Sequence, residues 1–183
     1  MAVKTFTTGE VLTASDTNTY LNNGGLVFIK SQTIGPGVTS VSVSNAFSTT
    51  YDDYRIVVSG TLINVAGSSL FITFSGSSGA TSYWAGNYQA YSSGTSTSIG
   101  AAGGSSGLWL GISGGYTSTC HDVTNPFKAQ PTNISGSYST NTWTGVTGGQ
   151  DNNAVSHTGF SVVQVGSPTM TGGTITVYGY RKA

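Results

Sequence analysis

The sequence predicts an all-β protein, an antiparallel β-sandwich with the jelly roll as the expected type, carrying a short N-terminal arm and helix. Three observations predict it. After Gly25 the apolar residues recur at every second position, the spacing of a strand with one buried face. Gly, Asn, Ser and Pro then punctuate the chain at short intervals, and no helical period follows. Its 183 residues are enough for one domain with a sizeable core. The expected division is an attachment arm over 1–25 and a sandwich over 26–183.

In the arm, "LTASDTNTYLNNGG" from Leu12 reads as a helix of roughly two turns, too short to be stable alone in water. Thr13 or Ser15 can cap it, Asp16 suits the positive end of the helix dipole, and Gly24 suits the left-handed position after its end. Val11, Leu12, Tyr20 and Leu21 give it apolar residues in need of a partner surface. That surface is either the chain's own domain or a neighbouring subunit.

The strands follow in order. "LVFIKSQTI" and "VTSVSVSNAF" alternate apolar and hydroxyl residues, with the turn "GPG" at Gly35–Gly37 between them. "YDDYRIVVSGTLI", "LFITFSG", "GLWLGIS", "TNISGSYS", "TGFSVVQV" and "GTITVYGYR" repeat the grammar, so eight or more short strands imply a sandwich. Two stretches read instead as long exposed loops, Ser92 to Gly107 and Ser137 to His157, being rich in Gly and polar amides.

Charge is scarce. Six basic and six acidic residues make up 7% of the chain, against about 25% in an average soluble domain. This leaves no basic field for nucleic acid and no polybasic stretch for a membrane. From Ile56 to His121 no Asp, Glu, Lys or Arg occurs. Neutral hydroxyl-rich surfaces of this kind are common in extracellular β-proteins and virion appendages. "MAVKTFTTGE" lacks the apolar core of a signal peptide, and no apolar run reaches the ~18 residues of a membrane span. The expectation is synthesis in the cytoplasm without a signal peptide or membrane insertion; if the protein works outside the cell, something else carries it there, and a particle released by lysis would do so.

Catalytic chemistry finds little footing. Cys120 is the single cysteine, and its neighbour His121 would point to the opposite face of a strand. Asp52 and Asp53 diverge in the same way, whereas glycosidase carboxylates face one sugar across roughly 5 to 9 Å. Turn chemistry ahead of a strand is the plainer role for them. The two His, one Cys and scattered Asp show no metal-ligand spacing. "GAAGGSSG" lacks the Lys and the following helix of a phosphate loop. No catalytic, metal or cofactor-binding residue is therefore expected, and the chain reads as non-enzymatic.

Aromatic residues remain as a binding signal. Tyr83, Trp84, Tyr88, Tyr91, Trp109, Tyr116, Tyr138 and Trp143 can stack on sugar rings, or fill a core or trimer axis. Trp84, Tyr88 and Trp143 are the candidate carbohydrate or receptor contacts, both Trp being flanked by polar residues.

Three segments, "FTTGEVLTASDTNTYLNNGGLVFIKSQTIG", "VSNAFSTTYDDYRIVVSG" and "MTGGTITVYGYRKA", resemble a family of small virion proteins of tailed bacteriophages. Members are described as minor tail, tail fibre or other virion structural proteins. The resemblance covers the first third of the chain and its last dozen residues or so, leaving about Ser68 to Thr169 without a likeness. It implies an N-terminal attachment segment, a sandwich presented outward, and commonly a homotrimer among other virion proteins. Val11, Leu12, Tyr20 and Leu21 would then be buried against the virion partner, with Phe6 as an outer anchor. Three classes follow: a tail-associated structural or host-binding protein, whose ligand could be a surface glycan; a head fibre or capsid decoration protein; and a carbohydrate-acting enzyme. The missing carboxylate pair disfavours the last.

Overall fold

The computed structural model describes residues 5, 7–11, 13–16, 25–77, 83–91, 98–103, 107–112 and 115–181; over 83–91 and 98–103 only the backbone is described, Ala90 excepted. A single helical turn, α1 (Ala14–Asp16), precedes thirteen strands. They are β1 (Leu26–Thr33), β2 (Ser40–Val43), β3 (Asp53–Ile63), β4 (Ser69–Phe74), β5 (Tyr83–Tyr91), β6 (Ser98–Gly103) and β7 (Leu108–Ile112). Then come β8 (Tyr116–Thr124), β9 (Thr132–Thr140), β10 (Trp143–Asp151), β11 (Phe160–Gln164), β12 (Met170–Thr171) and β13 (Thr174–Tyr180).

The strands form an antiparallel sandwich. The larger sheet runs β1-β13-β3-β8-β9-β10-β5-β6, with β12 beside β3, and the smaller runs β2-β11-β4-β7. Without β12 and the pairs β5–β6 and β9–β10, eight strands remain, four in each sheet. In chain order these are the first, eighth, third and sixth, and the second, seventh, fourth and fifth. The two inserted hairpins extend the larger sheet on the far side of β8.

Alternation builds the core. In β3, Tyr54, Ile56 and Val58 are fully buried while Arg55 and Val57 face outward; Ile175 and Val177 of β13 lie beside them. Leu70 and Ile72 of β4, Val162 of β11 and Leu108 and Leu110 of β7 close the core from the smaller sheet. Each such side chain contributes about 1.5–3 kcal/mol by leaving water. Phe47 seals one end, 4.8 Å from the Tyr54 ring and 5.6 Å from that of Phe160. The Tyr54 hydroxyl is satisfied in place, donating to the Ser48 carbonyl oxygen and accepting the Ser48 N–H.

All eight strands expected from alternation are present, and the "GPG" turn is present, Gly37 taking a positive φ of 66°. The two expected loops require correction. The stretch 92–107 contains β6, which pairs with β5 from Trp84–Gly103 to Gln89–Ser98. Most of 137–157 is the end of β9 and all of β10. The reason is chemical: after half-buried Trp143 the inward positions of β10 are Gly145, Thr147, Gly149 and Asp151, so burial proceeds without an apolar period. In the arm, Thr13 is the cap. Its hydroxyl accepts the Asp16 N–H, and the Asp16 carboxylate accepts the Thr13 N–H, the reciprocal pair of a capping box. Residues 17–24, where the helix was expected to continue, lie outside the described residues.

Register gives the sandwich two distinct ends. Leu26 pairs with Tyr180, Gly179 with Tyr54, Tyr54 with Val123, and Val123 with Ile134. Towards the other end Thr33 pairs with Thr174, Thr61 with Thr117, Thr117 with Thr140, and Trp143 with Tyr91. Ile134 and Thr140, six positions apart on β9, set the ends about 20 Å apart.

Candidate functional site

The chain enters and leaves the sandwich at one place. The Arg181 N–H donates to the Gly25 carbonyl oxygen at 3.1 Å, so residues 1–24 attach at the Leu26–Tyr180 end. Of the expected docking residues, Val11 is 77% exposed. Phe6, Leu12, Tyr20 and Leu21 lie outside the described residues.

Every charged residue of 25–181 collects at that same end. Asp52 pairs with Lys128 at 3.1 Å, and Arg55 with Asp122 at 2.8 Å. Asp53 accepts the Asn125 N–H, and Lys30 turns its ammonium to the Ser44 carbonyl oxygen. Asp151 lies opposite Thr132 at the terminus of β10. The remaining cation, Arg181, is the residue bonded to Gly25. At the other end the connections 34–39, 64–68, 141–142 and 165–169 contain no Asp, Glu, Lys or Arg.

The β9–β10 hairpin lies at this charge-free end. Thr140 Oγ1 accepts the N–H groups of Trp143 (2.7 Å) and Thr142 (3.1 Å) and donates to the Trp143 carbonyl oxygen, tying the turn in one conformation. The Thr144 hydroxyl donates to the Tyr138 carbonyl oxygen. Around the hairpin lies a cleft of about 300 Å³ lined by Ala90, Ser139, Thr140, Asn141, Thr142, Trp143 and Thr144. Half-buried Trp143 is its aromatic member.

Register separates two of the three expected contacts along the sheet. Trp84 is opposite Gln150 and Tyr88 opposite Val146, whereas Trp143 is opposite Tyr91. Trp84 and Trp143 therefore stand seven register positions apart, about 23 Å. Tyr138 serves structure, 2% exposed beneath Gly111, and Trp109 packs edge-on against Phe71 on the smaller sheet. Tyr116 is 59% exposed at the hairpin end. Sequence reasoning missed Ser139, Asn141 and Thr142, because only the turn brings their polar groups beside Trp143.

The titratable groups do other work. Cys120 and His121 face opposite sides of β8, as their adjacency requires. Arg55, Asp122 and Tyr180 form a half-buried cluster across β3, β8 and β13, with the Tyr180 hydroxyl donating to Asp122 at 2.6 Å. The hydrogen bond from Arg55 holds the Asp122 carboxyl below its usual range; burial, then the bond to Asp122, pushes Tyr180 up to about 12. His157 is fully buried beside Phe74, with Nδ1 2.7 Å from the Ser75 carbonyl oxygen and Nε2 3.5 Å from Asp151.

His121 gives the fold an acid sensitivity. Its ring is 1% exposed, with Nε2 2.7 Å from Thr147 Oγ1, and burial pushes its pKa down to about 4. The unfolded chain binds this proton near pH 6.5, so the stability is fully present above that value and is lost as pH falls towards 4. Unfolding in denaturant is expected to show about 2 kcal/mol less stability at pH 5 than at pH 7.5 from this residue. His121→Gln should flatten that part of the profile; an unchanged profile would refute the assignment.

No protein family, curated protein or solved structure matches the chain.

Proposed function

We propose that this chain is a non-enzymatic structural protein of a bacteriophage virion. On this reading it is tail-associated, held by its N-terminal arm, and displays the sandwich outward for contact with the host surface. The observation that carries the reading is polarity: the arm joins the sandwich at the charged end, and the Trp143 hairpin lies at the opposite, charge-free end. A protein fixed at one end and exposed at the other needs this separation. The arm supplies apolar residues for a partner, and from Phe6 it belongs to the first of the three segments that resemble tailed-phage virion proteins.

We read the eight strands outside the inserts as a jelly roll. Their orders, first-eighth-third-sixth and second-seventh-fourth-fifth, are those of a strip of paired strands wrapped into two sheets. The hairpins β5–β6 and β9–β10 are then additions to a common frame, and the contact surface is carried on one of them.

Competition tests the reading. Excess purified protein is expected to slow adsorption of intact particles to host cells, and the Trp143→Ala protein to lose most of that effect while melting like the parent. Undiminished adsorption, with loss of particle integrity when the protein is missing, would make it a capsid decoration protein instead.

A further inference from the structure

We propose that His157 and Asp151 form a buried imidazolium–carboxylate pair, and that the proton they hold latches the connection 152–158 shut at the charged end of the sandwich. The latch is independent of where the chain sits on a particle.

Donor counting places the proton. Both side chains are 0% exposed. His157 Nδ1 is 2.7 Å from the Ser75 carbonyl oxygen, which has no proton to give, so Nδ1 carries one. In a neutral ring Nε2 would then be a bare acceptor, and 3.5 Å from it is Asp151 Oδ2, a second acceptor. Neither atom has a hydrogen-bond partner among the described residues. Two facing acceptors cost free energy, as does a carboxylate removed from water without a counter-charge; one proton on Nε2 relieves both. Asp151 Oδ1 meanwhile accepts the backbone N–H and the side-chain amide of Asn153, which fixes the carboxylate.

The pair holds the connection rather than the sheets. Asn153 also donates to Ser77 Oγ at 2.8 Å, the His157 N–H donates to the Pro126 carbonyl oxygen, and the N–H groups of Thr158 and Gly159 donate to Ser75 Oγ. Residues 45–47 and 74–77, which bond to this connection, have no titratable group. Lys128, beyond Pro126, is paired with Asp52. Tyr83 is opposite Asp151 in the register, and His121 is bonded to Thr147, four positions along β10 or about 13 Å away. A His157 opened to water gives up its proton above about pH 6.5, whereas the closed connection keeps it. Acid therefore favours the closed connection and alkali the open one, the reverse of the response expected from His121.

Nitrogen-15 NMR of the purified full-length protein should show protons on both ring nitrogens of His157 at about pH 7. Amide exchange, corrected for its intrinsic pH dependence, should show the protection of Asn153, Thr158 and Gly159 falling about tenfold per pH unit above about pH 6.5, with Ile56 and Val177 unchanged. Asp151→Asn gives Nε2 an N–H donor in place of the charge, so His157 should then carry one ring proton and the pH response should vanish. His157→Ala, which leaves the carboxylate buried and unpaired, should speed exchange of the same three amides at least about 100-fold. A single ring proton on His157 in the parent, or a pH response that persists in Asp151→Asn, would overturn the proposal.

Discussion

A Leu21→Asp chain is expected to be lost from assembled particles while its sandwich stays folded. Burying a leucine contributes about 1.5–3 kcal/mol, and an unpaired carboxylate in the same contact adds a desolvation cost. Together they should weaken docking at least roughly 100-fold, equivalent to about 2.7 kcal/mol. Leu21 lies in the arm, whereas the buried hydrophobic core runs from Ile34 to Val177 within the two sheets. The thermal transition of the purified variant should therefore match that of the parent. Quantifying the protein on purified particles provides the readout, and full retention of Leu21→Asp would rule out docking through the arm.

The second large effect is expected at Gly136. A Cβ there would collide with the Cys120 carbonyl oxygen and stand 2.6 Å from the Cα of His121, both backbone atoms of the neighbouring strand β8. No side-chain rotation relieves that contact, so β8 and β9 must separate where the larger sheet leaves the eight-strand frame for its inserted hairpin. Gly136→Ala should cost more than about 4 kcal/mol, a large part of the stability of an ordinary domain. Its melting temperature should fall by roughly 10 °C or more, or the chain should fail to fold. Gly172→Ala is the control. Gly172 has a positive φ of 70°, but a Cβ added there would meet nothing within 4 Å, so only about 1–2 kcal/mol of backbone strain is expected. Equal effects at the two glycines would remove the close approach of β8 and β9 as the cause.

The eight strands with alternating apolar residues were legible because their buried faces are rich in Val, Ile, Leu and Phe. In β3, Tyr54, Ile56 and Val58 announce the core, and in β13 Ile175 and Val177 do the same. Strand β8 was hidden because it buries Thr117, Thr119 and His121, and β10 because it buries Thr147 and Asp151 among glycines. These strands hold their places through ladder bonds and backbone contact, which leave no hydrophobic period to read. Strand β6 was hidden similarly, since "SIGAAG" carries one large apolar residue in six.

The candidate site was legible in one residue. Trp143 is conspicuous among polar neighbours, but its separation from Trp84 depends on a register that no single strand's sequence encodes. The segregation of charge was half visible. The neutral run from Ile56 to His121 could be read directly, while the gathering of Asp52, Arg55, Asp122, Lys128 and Asp151 at one end required the pairing of β3, β8, β9 and β10.

Cryo-electron microscopy of intact particles, with gold label directed to the Asn141–Thr142 turn, decides where the chain sits and which way it points. Density for this chain is expected on the tail, with residue 25 against the particle and the label about 20 Å farther out. Absence of the chain from the particle, or a sandwich seated with its hairpin end inward, would contradict it.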